Sequence, residues 1–268
     1  MTSLALMVGS GDLPAALIAA LPQRPLVCAL EGFFPDGVTP DLTFRLERLA
    51  LVLRDLARRG IQDIVFAGSV RRPRLDPALF DPATAQLVPR LLTALKDGDD
   101  ATLRGIIDIF ESDGFRVLGV ADIAPDLLPG PGLLAGQVTA RDKADATRAA
   151  AIVAALGAVD VGQAAVVAQG QCLAIEALPG TDAMLRAVAG LGALRPDPSQ
   201  GRGLLYKAAK PGQDRRVDLP TIGAQTLTLA AEAGLGGVAF QAGAVICLDL
   251  DALIATADQL GLYLWSRP

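Results

Sequence analysis

The chain contains no histidine. That single absence removes the Ser-His-Asp triad, the histidine general base and the histidine-ligated zinc site. Any catalysis must run on carboxylates, lysine or arginine, alone or with an oxygen-bound metal. Aromatics are scarce, at 4% of residues, so the core is built from Ala, Leu, Val and Ile. Cysteine occurs three times (Cys28, Cys172 and Cys247), each time inside an apolar, strand-like run. Scattered thiols of this kind fit buried cysteines in a reducing compartment, not a disulfide framework. Long uninterrupted apolar runs are missing too. Residues 233–248 form one of the longest, but it falls short of a span and holds several glycines and Gln241. No basic n-region or small-residue cleavage site follows Met1, so no secretory signal is expected. These features point to a soluble, cytoplasmic protein. The net charge is −5 and the pI near 4.8, which argues against nucleic acid as a general partner.

What is present is an apolar chain of 268 residues, long enough for one large domain or two smaller ones. Its first half alternates strand and helix patterns. Strands are expected at 4–8, 25–30, 63–70 and 115–120. Helical spacing marks 13–21, then Leu49, Val52, Leu53 and Leu56, then 83–95 and 99–110. Repeated βα units imply a Rossmann-like parallel sheet with helices on its faces. Prolines and glycines cluster across 125–136, as in an interdomain linker. The expected division is an N-terminal domain at 1–132, a linker at 133–140 and a C-terminal α/β domain at 141–268. In that second half a helix is expected at 141–156. Hairpin-like patterns occur at 165–176 and again at 238–248, each followed by a helix, at 181–191 and 250–260. They read equally as a weak internal duplication or as two unrelated hairpins.

Several segments carry residues suited to chemistry. Gly9-Ser-Gly-Asp-Leu-Pro14 follows the first strand and opens a helix, so Gly9, Ser10 and Gly11 could hold a phosphate. It also reads as an ordinary βα turn with Asp12 capping the helix. Pro14 stands where a dinucleotide fingerprint needs glycine. Gly68, Ser69, Arg71, Arg72 and Arg74 follow the third strand, where open α/β sheets bind ligands; a solvated basic loop is the alternative. Asp99 and Asp100 open a helix and suit either capping or a hard cation. Thr181 and Asp182 suit a helix cap and a first-turn acid, and Asp182 or Glu176 could instead ligate Mg²⁺.

The segment 207–223 is the most informative. Lys207, Lys210, Arg215 and Arg216 crowd around Asp214 and Asp218 in an otherwise acidic, apolar chain. Pro211 and Pro220 stiffen this loop, and Leu219-Pro220-Thr221 reads as a helix start with Asp218 as its cap. Charges of both signs held close together suit a carboxylate–metal–phosphate site better than a plain cap.

Lys207-Ala-Ala-Lys-Pro-Gly-Gln-Asp-Arg-Arg-Val-Asp-Leu-Pro-Thr-Ile-Gly223 closely resembles the signature of a family of UDP-2,3-diacylglucosamine pyrophosphatases of lipid A biosynthesis in Gram-negative bacteria. The likeness extends, in order, to the first glycine loop, Phe66-Ala-Gly-Ser-Val70, Gly98-Asp-Asp100 and Gly180-Thr-Asp-Ala-Met-Leu-Arg186. The resemblance implies two α/β domains with the lipid substrate in a cleft between them. It implies Mg²⁺-dependent hydrolysis of the diphosphate to UMP and 2,3-diacylglucosamine 1-phosphate, and an aspartate required for activity at Asp218. A second family performs the same step with a His- and Asp-rich dimetal site, which a histidine-free chain cannot build. This chain departs from the family pattern at Ser10, Ser69 and Pro179, where Gly, Asn and Glu are expected.

Together these readings give Asp218, with Asp182 second, as metal or water-orienting carboxylates. Lys207, Lys210 and Arg216 would hold phosphate oxygens, and Gln213 would hydrogen-bond one. Gly9, Ser10, Gly11, Gly68, Ser69, Asp99, Asp100, Thr181 and Thr221 complete the expected substrate contacts. A diacylated substrate implies transient contact with the inner-membrane surface, and a homodimer is compatible with the sequence. The alternatives are a non-catalytic binder of a nucleotide or lipid phosphate, and a nucleotide-cofactor oxidoreductase on the first glycine loop.

Overall fold

The computed structural model describes residues 3–70, 75–89 and 99–268. It divides into two compact units: Met1–Pro125 with Asp214–Asp218, and Asp126–Gln213 with Leu219–Pro268.

The first unit is built on a parallel sheet. Its strands are β1 (Leu4–Val8), β2 (Leu26–Leu30), β3 (Leu42–Phe44), β4 (Asp63–Ala67) and β5 (Arg116–Leu118), in the order β3-β2-β1-β4-β5. The strands are apolar runs without alternation because both sheet faces are covered. On one face, Ala5, Met7, Cys28, Ile64 and Val117 pack on Leu49, Val52, Leu53 and Leu56 of helix Leu49–Arg58 and on Ile107 and Phe110 of helix Asp99–Ser112. Residues of the opposite parity, Leu6, Val8, Val27, Ala29 and Val65, are buried as well. Strand order reverses at β1 and β4. The loops leaving the carboxyl ends of these two strands are therefore where a ligand is held in this architecture.

The second unit has a mixed sheet. β6 (Gly132–Ala135), β7 (Ala164–Ala168), β8 (Gln171–Ile175), β9 (Leu204–Lys207), β11 (Gly237–Gln241) and β13 (Tyr263–Arg267) lie in the order β6-β13-β11-β9-β7-β8. β9, β11 and β13 are parallel, while β6, β7 and β8 run antiparallel to their neighbours. β10 (Thr221–Ile222) and β12 (Ile246–Cys247) form a separate parallel pair. The period of two sorts side chains to opposite faces. Ala164, Val166, Leu205, Val238, Phe240 and Leu264 face helices Gly180–Ala189, Ala224–Glu232 and Leu250–Leu260. Ala165, Val167, Leu204, Tyr206, Ala239 and Tyr263 face helix Ala140–Gly157.

The α/β class with a parallel first sheet matches the sequence reading, and several local expectations need correction. The stretch 133–140 holds most of β6 and the start of helix Ala140–Gly157, because β13 takes Gly132–Ala135 as its antiparallel neighbour. The unit boundary falls earlier, between Pro125 and Asp126. The strand expected at 63–70 ends at Ala67. The second hairpin is absent among the described residues. β12 pairs with β10 rather than with β11, so the duplication has no structural counterpart there. No helix starts at Leu219. Thr221–Ile222 is a strand, and the helix begins at Ala224 behind Gly223. The helix expected at 83–95 is described only in part, as Pro82–Ala85. Among the described residues, no helix is long and apolar enough to cross a membrane.

Cys28 and Cys247 are buried and Cys172 is exposed. Burial pushes the Cys28 and Cys247 thiols up to about 12. The expected outcome of native labelling with a colorimetric disulfide reagent is one rapidly reacting thiol, Cys172, with Cys28 and Cys247 reacting only after unfolding. Prompt labelling of all three would contradict the packing of β2 and β12.

Candidate functional site

The glycine loops of the first unit lock together through their backbones. Ser10 N–H donates to Ser69 O at 2.9 Å, and Ser69 N–H returns a bond to Ser10 O at 2.8 Å. Gly9 N–H donates to Ala67 O at 2.8 Å. A side chain on Gly9 would run into the Ser69 carbonyl. Gly68 has φ +91° and leaves no room for a Cβ, which would lie 2.8 Å from both Gly9 O and Ser10 O. Gly11 continues the contact as a bridge to Pro35. The structure thus brings Gly9, Ser10, Gly11, Gly68 and Ser69 to one place. It also explains why Ser can stand at positions 10 and 69: the brace uses main-chain atoms, whatever the side chain. Asp12 occupies the position before helix Leu13–Ala20 but makes no side-chain cap. Arg71, Arg72, Arg74 and Gly98 lie outside the described residues, as do the side chains of Asp99 and Asp100. The backbone of Asp99 and Asp100 opens helix Asp99–Ser112.

The second unit buries a cation. Lys207 ends β9 with the parity of Leu205, so its side chain goes to the face that carries helix Gly180–Ala189. Only 7% of Lys207 is exposed. Its Nζ donates to Thr181 Oγ1 at 2.8 Å and to the Thr221 carbonyl at 3.1 Å. Thr181 Oγ1 donates in turn to Glu176 Oε2 at 2.9 Å. Burial pushes the Lys207 ammonium below its ordinary range, although the carboxylates of Glu176 and Asp182 pull the other way. Thr181 is not the helix cap, since the helix starts at Gly180 with Pro179 before it. Asp182 points toward Arg186 at 3.8 Å and is half exposed.

The charges of 207–218 do not form one cluster. Lys210 Nζ pairs with Asp160 at 2.6 Å, and Gln213 Oε1 accepts from Lys210 N–H at 3.1 Å. Asp214 to Asp218 belong to the first unit, where Val217 joins its core. Arg216 grips Asp214 with Nε at 3.0 Å and Nη2 at 2.8 Å, and reaches Glu111 through Nη1 at 2.7 Å. Hydrogen bonding from Arg216 holds the Asp214 carboxyl below its usual range, and the same bond raises Arg216. Asp218 is half buried and closes the turn, its N–H donating to Asp214 O at 3.3 Å. The phosphate role expected of Arg216 competes with these ion pairs. Glu111 and Asp160 were missed in the sequence because nothing local marks partners 105 and 50 residues away.

Residues 3–127 match the LpxI N-terminal domain and residues 131–265 the LpxI C-terminal domain. The chain belongs to the LpxI family. It is 37% identical to a protein of Caulobacter vibrioides named UDP-2,3-diacylglucosamine pyrophosphatase LpxI, over 98% of this chain and 96% of that relative. Among the described residues, no three Cys, Asp or Glu side chains converge into a metal cage. Mg²⁺ is often held by one or two carboxylates together with waters and substrate phosphates. The half-buried Asp218 and half-exposed Asp182 fit such a shared ion as single carboxylates, not as members of a closed cage.

The loop brace yields a stability test. Gly68→Ala forces a side chain into a positive-φ position against two carbonyls. It is expected to cost about 2 kcal/mol or more in urea unfolding. Unchanged stability would show that the two loops are not fixed to one another.

Proposed function

We propose that this chain hydrolyses the diphosphate of UDP-2,3-diacylglucosamine to UMP and 2,3-diacylglucosamine 1-phosphate, with a divalent cation such as Mg²⁺. The observation that carries this reading is the 37% identity, across nearly the whole of both chains, to a protein named for that activity. The buried Lys207 supports it, since an enclosed ammonium serves a phosphate better than it serves the fold.

Hydrolysis requires that charge on the diphosphate be neutralised and a water be aimed at phosphorus. Lys207 would hold a phosphate oxygen from a site already stripped of water. Lys210 and Gln213, linked through the Lys210 amide, would contribute further contacts. Arg216 and Glu111 steady Asp214, and so the turn that carries Asp218. Asp218 would orient the water or meet the metal, and Asp182 is the second candidate carboxylate for such a role. The cation would supply charge neutralisation at the phosphate oxygens. The braced loops Gly9–Gly11 and Gly68–Ser69 stand at the switch point of the first sheet, where nucleotides are held in this architecture. The two acyl chains imply transient contact with a membrane surface.

The test measures UMP release from UDP-2,3-diacylglucosamine with and without a chelator. Turnover is expected to stop with chelator and return with Mg²⁺. Asp218→Asn is expected to lower kcat by about 100-fold or more. Near-normal turnover of that variant would discard the role of Asp218. Recovery of intact substrate from the native protein would return the chain to a non-catalytic binder.

A further inference from the structure

The hydrogen-bond chain from Lys207 to Glu176 has only one possible direction. An ammonium donates and cannot accept, and an ionised carboxylate accepts and cannot donate. The Thr181 hydroxyl between them must therefore receive from Lys207 and give its one proton to Glu176. An isolated threonine hydroxyl turns freely, whereas this one has no freedom left.

Glu176 is itself held in place. Its N–H donates to Ala164 O at 2.8 Å, extending the β7–β8 ladder by one residue. The same neighbouring stretch of chain carries Gly162, where a Cβ would lie 2.8 Å from the Glu176 carbonyl carbon and closer still to its oxygen. Glycine at 162 lets the backbone of Glu176 close against that strand. Asp182, the other carboxylate that faces Lys207, has no part in the relay and leans toward Arg186.

Two of the three Lys207 N–H bonds are thereby assigned, to Thr181 Oγ1 and to the Thr221 carbonyl. We propose that Glu176 is a positioning residue: by fixing the Thr181 hydroxyl it holds the Lys207 ammonium so that its third N–H is presented to a substrate phosphate. The relay rests on the reading of Lys207 as a phosphate contact in diphosphate hydrolysis.

The experiment uses the full chain and its Glu176→Ala, Glu176→Gln, Thr181→Val and combined Glu176→Ala/Thr181→Val variants. One readout requires no turnover: nitrogen-15 NMR of the lysine ammonium groups against pH, with Lys207 assigned through Lys207→Arg. Removing Glu176 removes a negative charge that favours the protonated lysine, so the Lys207 midpoint is expected to fall in Glu176→Ala. The groups facing Lys207 are Glu176, Asp182, the Thr181 hydroxyl and the Thr221 carbonyl, and only the first changes. The second readout is UMP release. Glu176→Ala is expected to lower kcat by about 10-fold when Thr181 is present, and to have little further effect in Thr181→Val, because the two act in series. Glu176→Gln keeps an acceptor for the hydroxyl. It should recover most of kcat while its alkaline limb in kcat/KM stays displaced to lower pH.

An unchanged Lys207 midpoint in Glu176→Ala, or an equal loss of kcat with and without Thr181, overturns the proposal. If the native chain releases no UMP, the pyrophosphatase reading fails and the NMR titration alone decides the relay. Should Glu176→Ala fail to fold, the comparison passes to Thr181→Val and Thr181→Ser. The valine variant must displace the Lys207 midpoint and the serine variant must keep it, and any other result overturns the relay.

Discussion

An ammonium group with 7% of its residue exposed constrains everything around it. Water is lost to Lys207, and among the described residues no carboxylate comes within ion-pair distance in exchange. Its compensation is a hydroxyl, a main-chain carbonyl and two carboxylates acting from farther away. Burying a charge on such terms costs stability, and a well-packed apolar side chain would do the structural task better. The sheet parity that sends Leu205 to the helix face sends Lys207 there too. The first turn of helix Gly180–Ala189 then supplies Thr181, and β10 supplies the Thr221 carbonyl. Three separate elements thus converge on one Nζ.

The first unit solves a different problem, which is to hold two loops still without side chains. Reciprocal Ser10 and Ser69 main-chain bonds, with Gly9 and Gly68 at closest approach, fix the loop ends at the switch point of the sheet. Arg216 does comparable work in the 214–218 turn by ion pairing. That turn belongs by packing to the first unit, although its sequence neighbours on both sides belong to the second. Asp218 and Lys207 are eleven positions apart in sequence and fall in different units. Chain proximity in 207–218 therefore says little about which charges act on one another.

Periodicity carried the sequence reading furthest. The apolar runs of β1, β2 and β4, the helix face at Leu49, Val52, Leu53 and Leu56, and the helix Leu250–Leu260 were all legible, because each buries a stripe that its spacing declares. The convergence of the two glycine loops was legible from the rule for open α/β sheets. Short elements were not. β9 and β10 are four residues or fewer, and their partners lie far off in the chain. The 238–248 region looked like a hairpin because a glycine-centred turn separates two apolar runs, but its second run is claimed by β10. In the candidate site, residue types were readable while pairings were not. The four cations looked like one cluster in sequence, and long-range partners such as Glu111, Asp160, Thr181 and Glu176 decide where three of them go.

If the Lys207 charge is buried to hold a phosphate, its burial comes at the expense of stability. Lys207→Met tests it most directly, with thermal unfolding and UMP release measured on the same preparation. The expected result is a melting temperature equal to or above that of the native chain, with kcat lowered by about 100-fold or more. Retained turnover, or a melting temperature that drops by several degrees along with the activity, would contradict it.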